Sequence, residues 1–376
     1  MFLTRGWSWS RCVAVNRVLA LGVPGSSHRS LCCSSHRSQY SSSNPPLMPE
    51  EDVDYQLRHS KDESRIQDEQ EMQALIDEAK SAAPGNSEAE EEPSGPPVIV
   101  DRLLEVTTIS INRPHRKNAV NPETARLLYE AFMSFEKDDT SPVAVLRGVG
   151  GTFCSGYDLK DFAETMESLR PSRQNAYLDQ IMNSIDGPMG PTRWFSFSKP
   201  VIAAIDGYCV AGGLELALCC DMRVAEEQAV FGVFNRKIGV PLIDGGTIRL
   251  PNLIGLSRAM DLILTGRLVD ASEAFQLGLV NRLTAVGTSF GSAVKIARSM
   301  AKLPQRSLLA DRRSAYYSQY RAVSWEDAAC FERDNARLAL MKEAFEGAKT
   351  FSANDKIHKR GLHFSKADEK DDNKRE

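Results

Sequence analysis

Acidic residues are missing from the first part of this chain: between Met1 and Pro49 there is no Asp or Glu. Arg5, Arg11, Arg17, Arg29 and Arg37 are spread through the same stretch among many serines. An Arg-rich, Ser-rich, acid-free leader has the composition of a mitochondrial transit peptide. A presequence is expected over 1–45, directing the chain to the mitochondrial matrix. A secretory signal is excluded, because Asn16 and Arg17 interrupt the apolar stretch from Val13 to Val23. No apolar run approaches the roughly 20 residues of a membrane span, so no membrane insertion is expected. The 46 Lys and Arg against 50 Asp and Glu give a net charge of -4, which leaves no global basic field for nucleic acid. Histidine is sparse, and only His115 falls near a motif. That argues against a Ser-His-Asp triad or a His-built metal site. Beyond the leader the cysteines are Cys154, Cys209, Cys219, Cys220 and Cys330. Their odd number and irregular spacing are not a disulfide framework and fit a reducing compartment.

From about residue 46 to Pro97 the charge reverses and acids dominate, ending in the run at Ser87-Glu-Ala-Glu-Glu-Glu. This segment reads as an acidic, disordered linker over 46–97. Patterned sequence begins at Val98. Val98–Val100, Val106–Ile111, Val143–Leu146, Val201–Ile205, Met222–Ala225 and Ala229–Phe231 are short and β-branched or apolar, and predict strands. Pro122–Lys137 carries Leu127, Leu128, Ala131, Phe132 and Phe135 at helical spacing. Helices are also expected at Leu159, capped by Asp158, at Leu214–Cys220, after Gly245-Gly246, at Ser257–Thr265 and Ala271–Leu277, and from Phe290 to about Lys349. Strands alternating with helices predict an α/β fold built from βαβ units. A polar tail follows from 353 to 376.

Two glycine-containing turns carry the chemistry. The first runs from Gly150 through Phe153-Cys-Ser-Gly-Tyr-Asp-Leu159. The second runs from Asp206-Gly-Tyr-Cys-Val-Ala-Gly-Gly-Leu-Glu215 to Asp221. Each leaves a buried strand and opens a helix. Glycine there lets a ligand approach the backbone, and a helix start offers free N–H groups. Two such donors converging would make an oxyanion hole. A phosphate loop is excluded, since neither a Gly-Lys-Ser/Thr ending nor Gly-x-Gly-x-x-Gly is present. Tight strand–helix packing at Gly212 and Gly213 explains the glycines equally well. Glu215 separates the two readings. It stands in the apolar Leu214-Glu-Leu-Ala-Leu218, where a buried carboxylate needs either a partner or a wet pocket. It reads as a proton carrier, or else as the ion-pair partner of Arg223 or Arg249.

The string from Lys199-Pro-Val-Ile-Ala-Ala through Gly212-Gly-Leu-Glu-Leu-Ala to Cys220-Asp resembles the signature of the enoyl-CoA hydratase/isomerase (crotonase) superfamily. Asn112-Arg-Pro with Asn118-Ala, Phe153-Cys-Ser-Gly-Tyr-Asp-Leu, Gly245-Gly-Thr with Arg249-Leu, Leu264-Thr-Gly, and Ala274 with Leu277-Gly-Leu-Val-Asn281 fit the same pattern in the same order. The resemblance covers Val98 to Phe351. It implies a crotonase-like spiral of ββα turns over 98–285 and a C-terminal helical trimerisation region over 286–352. Homotrimers or hexamers would be the assembly. Coenzyme A would enter as part of an acyl thioester substrate, with no separate cofactor and no metal. Position by position, the resemblance makes Ser155 and Gly212 the oxyanion-hole donors and Glu215 a catalytic carboxylate. Lys117, Asn118 and Ala119 fall in the loop that contacts the CoA adenine and phosphate end, and Gly156 and Asn235 fall beside the substrate.

One departure matters. Hydratases usually place a second glutamate four residues after the Phe of a Phe-Gly pair, and after Phe231-Gly232 that place holds Asn235. An amide does not act as an acid or base near neutral pH. Glu215 then works alone, or Asp244 joins it, as dienoyl-CoA isomerase members are similar in carrying an aspartate three residues before the threonine. Asp244 also reads as a helix N-cap. Arg236 is expected as a surface ion-pair residue or as a contact for an acidic acyl group. The segment Gly187-Pro-Met-Gly-Pro-Thr-Arg193 reads as a plain loop, or else as a wall of the acyl pocket or a mobile lid. Water addition to a 2-enoyl-CoA is the leading expectation. Double-bond isomerisation, and a family member that binds CoA or RNA without catalysis, are the alternatives.

Overall fold

The computed structural model describes residues 95–353 apart from 185. The expected presequence, nearly all of the acidic linker and the tail beyond 353 lie outside the described residues. The first strand, β1 (Val98–Leu103), forms a hairpin with β2 (Val106–Ile111), in register from Val98 opposite Ile111 to Leu103 opposite Val106. β3 (Val143–Gly148), β4 (Val201–Ile205), β6 (Met222–Glu226) and β9 (Arg282–Thr284) then add in parallel, giving the order β1-β2-β3-β4-β6-β9. β2 and β4 are buried throughout, as expected of parallel strands covered on both faces. β5 (Tyr208–Val210), β7 (Val230–Gly232) and β8 (Val269–Asp270) make a second, smaller sheet. Successive turns therefore lay one strand on the large sheet, a short strand or bridge beside it, and then a helix. These are the stacked ββα turns that the resemblance implies.

Period-two alternation divides the large sheet between two cores. Ile109, Ile111, Leu146, Ala203, Ile205 and Ala225 face the main core. There α1 (Pro122–Lys137) buries Leu128, Ala131, Phe132 and Phe135. Its start follows from local chemistry: the Asn121 side chain accepts the Thr124 N–H, and Pro122 occupies the first turn, where no N–H is missed. Val143, Val145, Ile202, Ala204 and Val224 face the other way, against Ala293 and Ala297 of α8 (Ser289–Ala301).

Between β3 and β4 lie α2 (Leu159–Ser168) and α3 (Pro171–Asn183). The second of these was not expected, because it buries only Tyr177 and shows little apolar periodicity. α4 (Gly212–Leu218) follows β5, and α5 (Gly246–Ile254), α6 (Leu256–Thr265) and α7 (Ala271–Gln276) precede β9. The C-terminal region consists of α8, α9 (Gln305–Tyr320), α10 (Trp325–Ala339), a π-helical turn Leu340–Ala344 and α11 (Phe345–Ala353).

Candidate functional site

The two glycine-containing turns meet. Cys154 pairs with Cys209 in a parallel bridge, the Cys154 N–H donates to the Tyr208 carbonyl (2.9 Å), and the Val210 N–H donates to the Cys154 carbonyl (3.2 Å). The contact leaves no room for side chains: a Cβ on Gly213 would stand 2.2 Å from the Cys154 carbonyl oxygen. A Cβ on Gly156, where φ is +105°, would stand 3.1 Å from the Gly212 nitrogen. Ala211, itself at φ 51°, turns the chain into α4 and accepts the Leu214 and Glu215 N–H groups. The Gly212 N–H belongs to the first turn of α4, so it has no acceptor within the helix. Ser155 differs from expectation. Its N–H donates to the Lys117 carbonyl at 3.1 Å, because Lys117 and Asn118 both adopt left-handed conformations (φ 51° and 55°) that turn this carbonyl toward it. A thioester oxygen would have to displace that carbonyl to use both donors.

Glu215 lies on α4 and is only 3% exposed. Its Oε1 accepts the N–H of Asp244 (2.9 Å) and that of Gly246 (2.8 Å). Glycine at 246 leaves room for this bond, since a Cβ there would stand 2.8 Å from the same oxygen. With Oε1 held twice, Oε2 is the atom left for a reactant. Burial, and then the charge of Asp244, push the Glu215 carboxyl up to about 7, against the pull of the two N–H groups and of Arg249. Asp244 is equally buried, and burial raises its carboxyl too. The Thr192 hydroxyl, the Arg193 charge and the Met189 N–H act against that rise.

Two expectations are corrected here. Asp244 is not a helix cap: Gly245 holds the N-cap of α5 with no side-chain bond, and the Asp244 carboxylate accepts from Thr192 instead. Nor is Glu215 tied to an arginine. Arg223 donates to the carbonyls of Leu279 and Cys220, and Arg249 to those of Thr192, Asp244 and Trp194. Both guanidinium groups anchor backbone. They were plausible partners in the sequence only because nothing there shows which donors the carbonyls take.

Asn235 is buried in the 3-10 turn Phe234–Ile238. Its Nδ2 donates to the Val240 carbonyl (3.0 Å), and its Oδ1 has no partner among the described residues. Arg236 beside it is exposed and bonds the Ile263 carbonyl rather than an acid. In the expected CoA loop Lys117 is exposed, its Nζ 5.5 Å above the Tyr208 ring. Asn118 is not open to a ligand. Its Oδ1 accepts the Arg113 N–H, and its Nδ2 donates to the carbonyls of Val149 and Thr152, which ties this loop to the first glycine turn. Ala119 is buried and its carbonyl accepts from Arg113. Asp158 caps α2 through the Asp161 N–H, as expected, and also pairs with Arg113 at 2.9 Å. Among the described residues no cluster of His, Cys, Asp and Glu has a metal-binding arrangement.

Residues 103–324 match the family described as enoyl-CoA hydratase/isomerase. The human protein named enoyl-CoA hydratase domain-containing protein 2, mitochondrial, is 37% identical over 53% of this chain. That alignment spans 66% of the human protein, just under two thirds of its length. The crystal structure of an enoyl-CoA hydratase from Mycobacterium tuberculosis H37Rv is 34% identical, with a TM-score of 0.62, over 69% of this chain and 96% of its own. An enoyl-CoA hydratase from Mycobacterium marinum gives 33% identity and a TM-score of 0.61 over the same shares.

Proposed function

The chain belongs to the enoyl-CoA hydratase/isomerase family, and from that premise we propose that it is a lyase that adds water across the double bond of a 2-enoyl-CoA thioester. One observation carries the reading. Glu215, buried and pushed up to about 7, presents a single free oxygen beside the turn whose Gly212 N–H has no helical acceptor. A group titrating near the working pH can both take and give a proton.

In this scheme the thioester oxygen binds the Gly212 N–H, and also the Ser155 N–H once the Lys117 carbonyl gives way. Water attacks C3 as Glu215 Oε2 takes its proton. The electron pair of the double bond moves onto the thioester carbonyl as an enolate, which the N–H donors stabilise. The proton then passes to C2 and regenerates the carbonyl. Asp244 is the second carboxylate of the site, in the role that Asn235 cannot fill. Gly156 and Asn235 line the bound acyl group, and Lys117 is the exposed cation at the CoA end. The mitochondrion is the proposed compartment, and a homotrimer or hexamer the proposed assembly.

A second reading, double-bond isomerisation, is favoured by Asn235. Without an acid there, Glu215 and Asp244 can move a proton between C2 and C4 with no water added. The test is to incubate the protein with crotonyl-CoA and with longer and branched enoyl-CoAs and to identify products by mass and by double-bond position. Gain of one water supports the lyase, and a shifted double bond with unchanged mass supports the isomerase. Glu215→Gln should lower turnover by about 10²–10⁴-fold with thioester binding retained. Undiminished turnover would remove Glu215 from the reaction.

A further inference from the structure

The segment Gly187–Arg193 is closed on itself. The Gly190 N–H donates to Gly187, the Thr192 N–H to Gly190 and the Arg193 N–H to Asp186. The Trp194 indole N–H donates to the Asp186 carboxylate (2.8 Å), while Arg193 donates through Nε to the Ile243 carbonyl (3.2 Å) and through Nη1 to that of Met182 (2.8 Å). Within this loop Thr192 is fully buried and fixed at both ends. Its carbonyl accepts from Arg249 (2.8 Å) and from the Cys219 thiol (3.6 Å), and its hydroxyl donates to the Asp244 carboxylate. The loop backbone lies against the same carboxylate. A Cβ on Gly187, at φ +107°, would stand 2.4 Å from the Thr192 Oγ1 and 2.6 Å from the Asp244 Oδ1. Met189 is fully buried beside Gly212, where an added Cβ would stand 2.9 Å from its sulfur. The loop thus touches both the second carboxylate and the oxyanion-hole glycine.

We propose that the Gly187–Arg193 loop is a clamp holding Asp244 against Glu215, with the Thr192 hydroxyl as the positioning residue that favours the charged form of Asp244. This rests on the reading of Glu215 and Asp244 as the reacting pair. A buried carboxylate stays ionised only where donors replace the water it has lost. Asp244 has the Thr192 hydroxyl and the Met189 N–H from the loop, with the Arg193 charge beside them. Arg249 faces it from α5, and Glu215 and the Cys219 thiol, both on or just beyond α4, are the other titratable groups of the site. An ionised Asp244 in turn favours the protonated form of Glu215. The clamp therefore holds charge on Asp244 beside Glu215 and keeps the Glu215 carboxyl poised both to take and to give a proton.

The test is infrared titration of the full chain, following the protonated-carboxyl band that Asp244→Asn removes, in wild type, Thr192→Val and Thr192→Ser. Valine keeps the volume and removes the donor, while serine keeps the donor. Thr192→Val should raise the midpoint of that band by about one pH unit, and Thr192→Ser should leave it at the wild-type value. A midpoint unmoved by valine overturns the proposal, and so does an equal rise in both variants, because serine retains the hydroxyl. The readout does not depend on turnover. If crotonyl-CoA turnover survives Glu215→Gln while the valine shift is present, the reading of the reaction fails and the clamp stands.

Discussion

Glu215 shows what a functional carboxyl does to the stability of the chain around it. Its ordinary value is 4.5, and in the folded chain it is pushed up to about 7. A carboxyl whose folded value lies above its unfolded one binds its proton more tightly when folded. Stability then falls as pH rises from about 4.5 to about 7, and the whole cost is present above that window. The cost is about 3 kcal/mol at most. Glu215→Gln should therefore melt higher than wild type at pH 8 and by a smaller margin at pH 5, as read by thermal unfolding at both. An equal difference at the two values would mean that the carboxyl is not titrating where its burial places it. Glu215 was legible in the sequence because it interrupts an apolar run. The hydroxyl that reaches its partner Asp244 was not. Thr192 stands 52 positions before Asp244, and no local pattern records a hydroxyl that only the completed fold brings to a carboxylate.

At the scale of elements, periodicity served well where burial is one-sided or complete. The span Pro122–Lys137 has the same limits in the sequence pattern and in α1, since both its cap and its apolar face are local features. α3 escaped because it is polar around most of its surface. β5, β8 and β9 escaped because strands of two or three residues carry no readable alternation, and β7, equally short, was read only from the apolar Ala229-Val-Phe that overlaps it. The glycines of the second turn were ambiguous between ligand approach and packing, and the fold assigns them separately. Gly212 has the N–H without a helical acceptor, while Gly213 is the packing residue against Cys154. Gly213→Ala should lower stability by about 1–3 kcal/mol, because its clash is with backbone that cannot rotate away. Urea unfolding would measure this, and a loss under half a kcal/mol would show that the two turns can separate.

At the scale of the molecule, the C-terminal helices dock on the spiral through polar groups as well as apolar ones. Arg312 of α9 pairs with Asp221 at 2.8 Å, Tyr316 donates to the same carboxylate at 3.0 Å, and both partners of the pair are more than four-fifths buried. Removing one partner leaves the other charge buried, at a cost of about 3 kcal/mol. Arg312→Ala should accelerate hydrogen exchange in Gln305–Tyr320 while β2, β3 and β4 keep their protection. Unchanged exchange in α9 would assign its docking to the aromatic contacts of Phe195 with Tyr316 and Tyr320. The sequence by itself determined the main strands of the large sheet, the longest helix of the spiral, the two glycine turns, the buried glutamate and the family they resemble, because each is written in neighbouring residues. Only the tertiary structure decided what those residues touch. It put the Ser155 N–H on the Lys117 carbonyl, made Asn118 an internal tie, withdrew Asp244 from the helix cap and brought Thr192 to it. Such pairings depend on which buried donors and acceptors remain unmatched after the chain has packed, and that is settled across the fold rather than along the sequence.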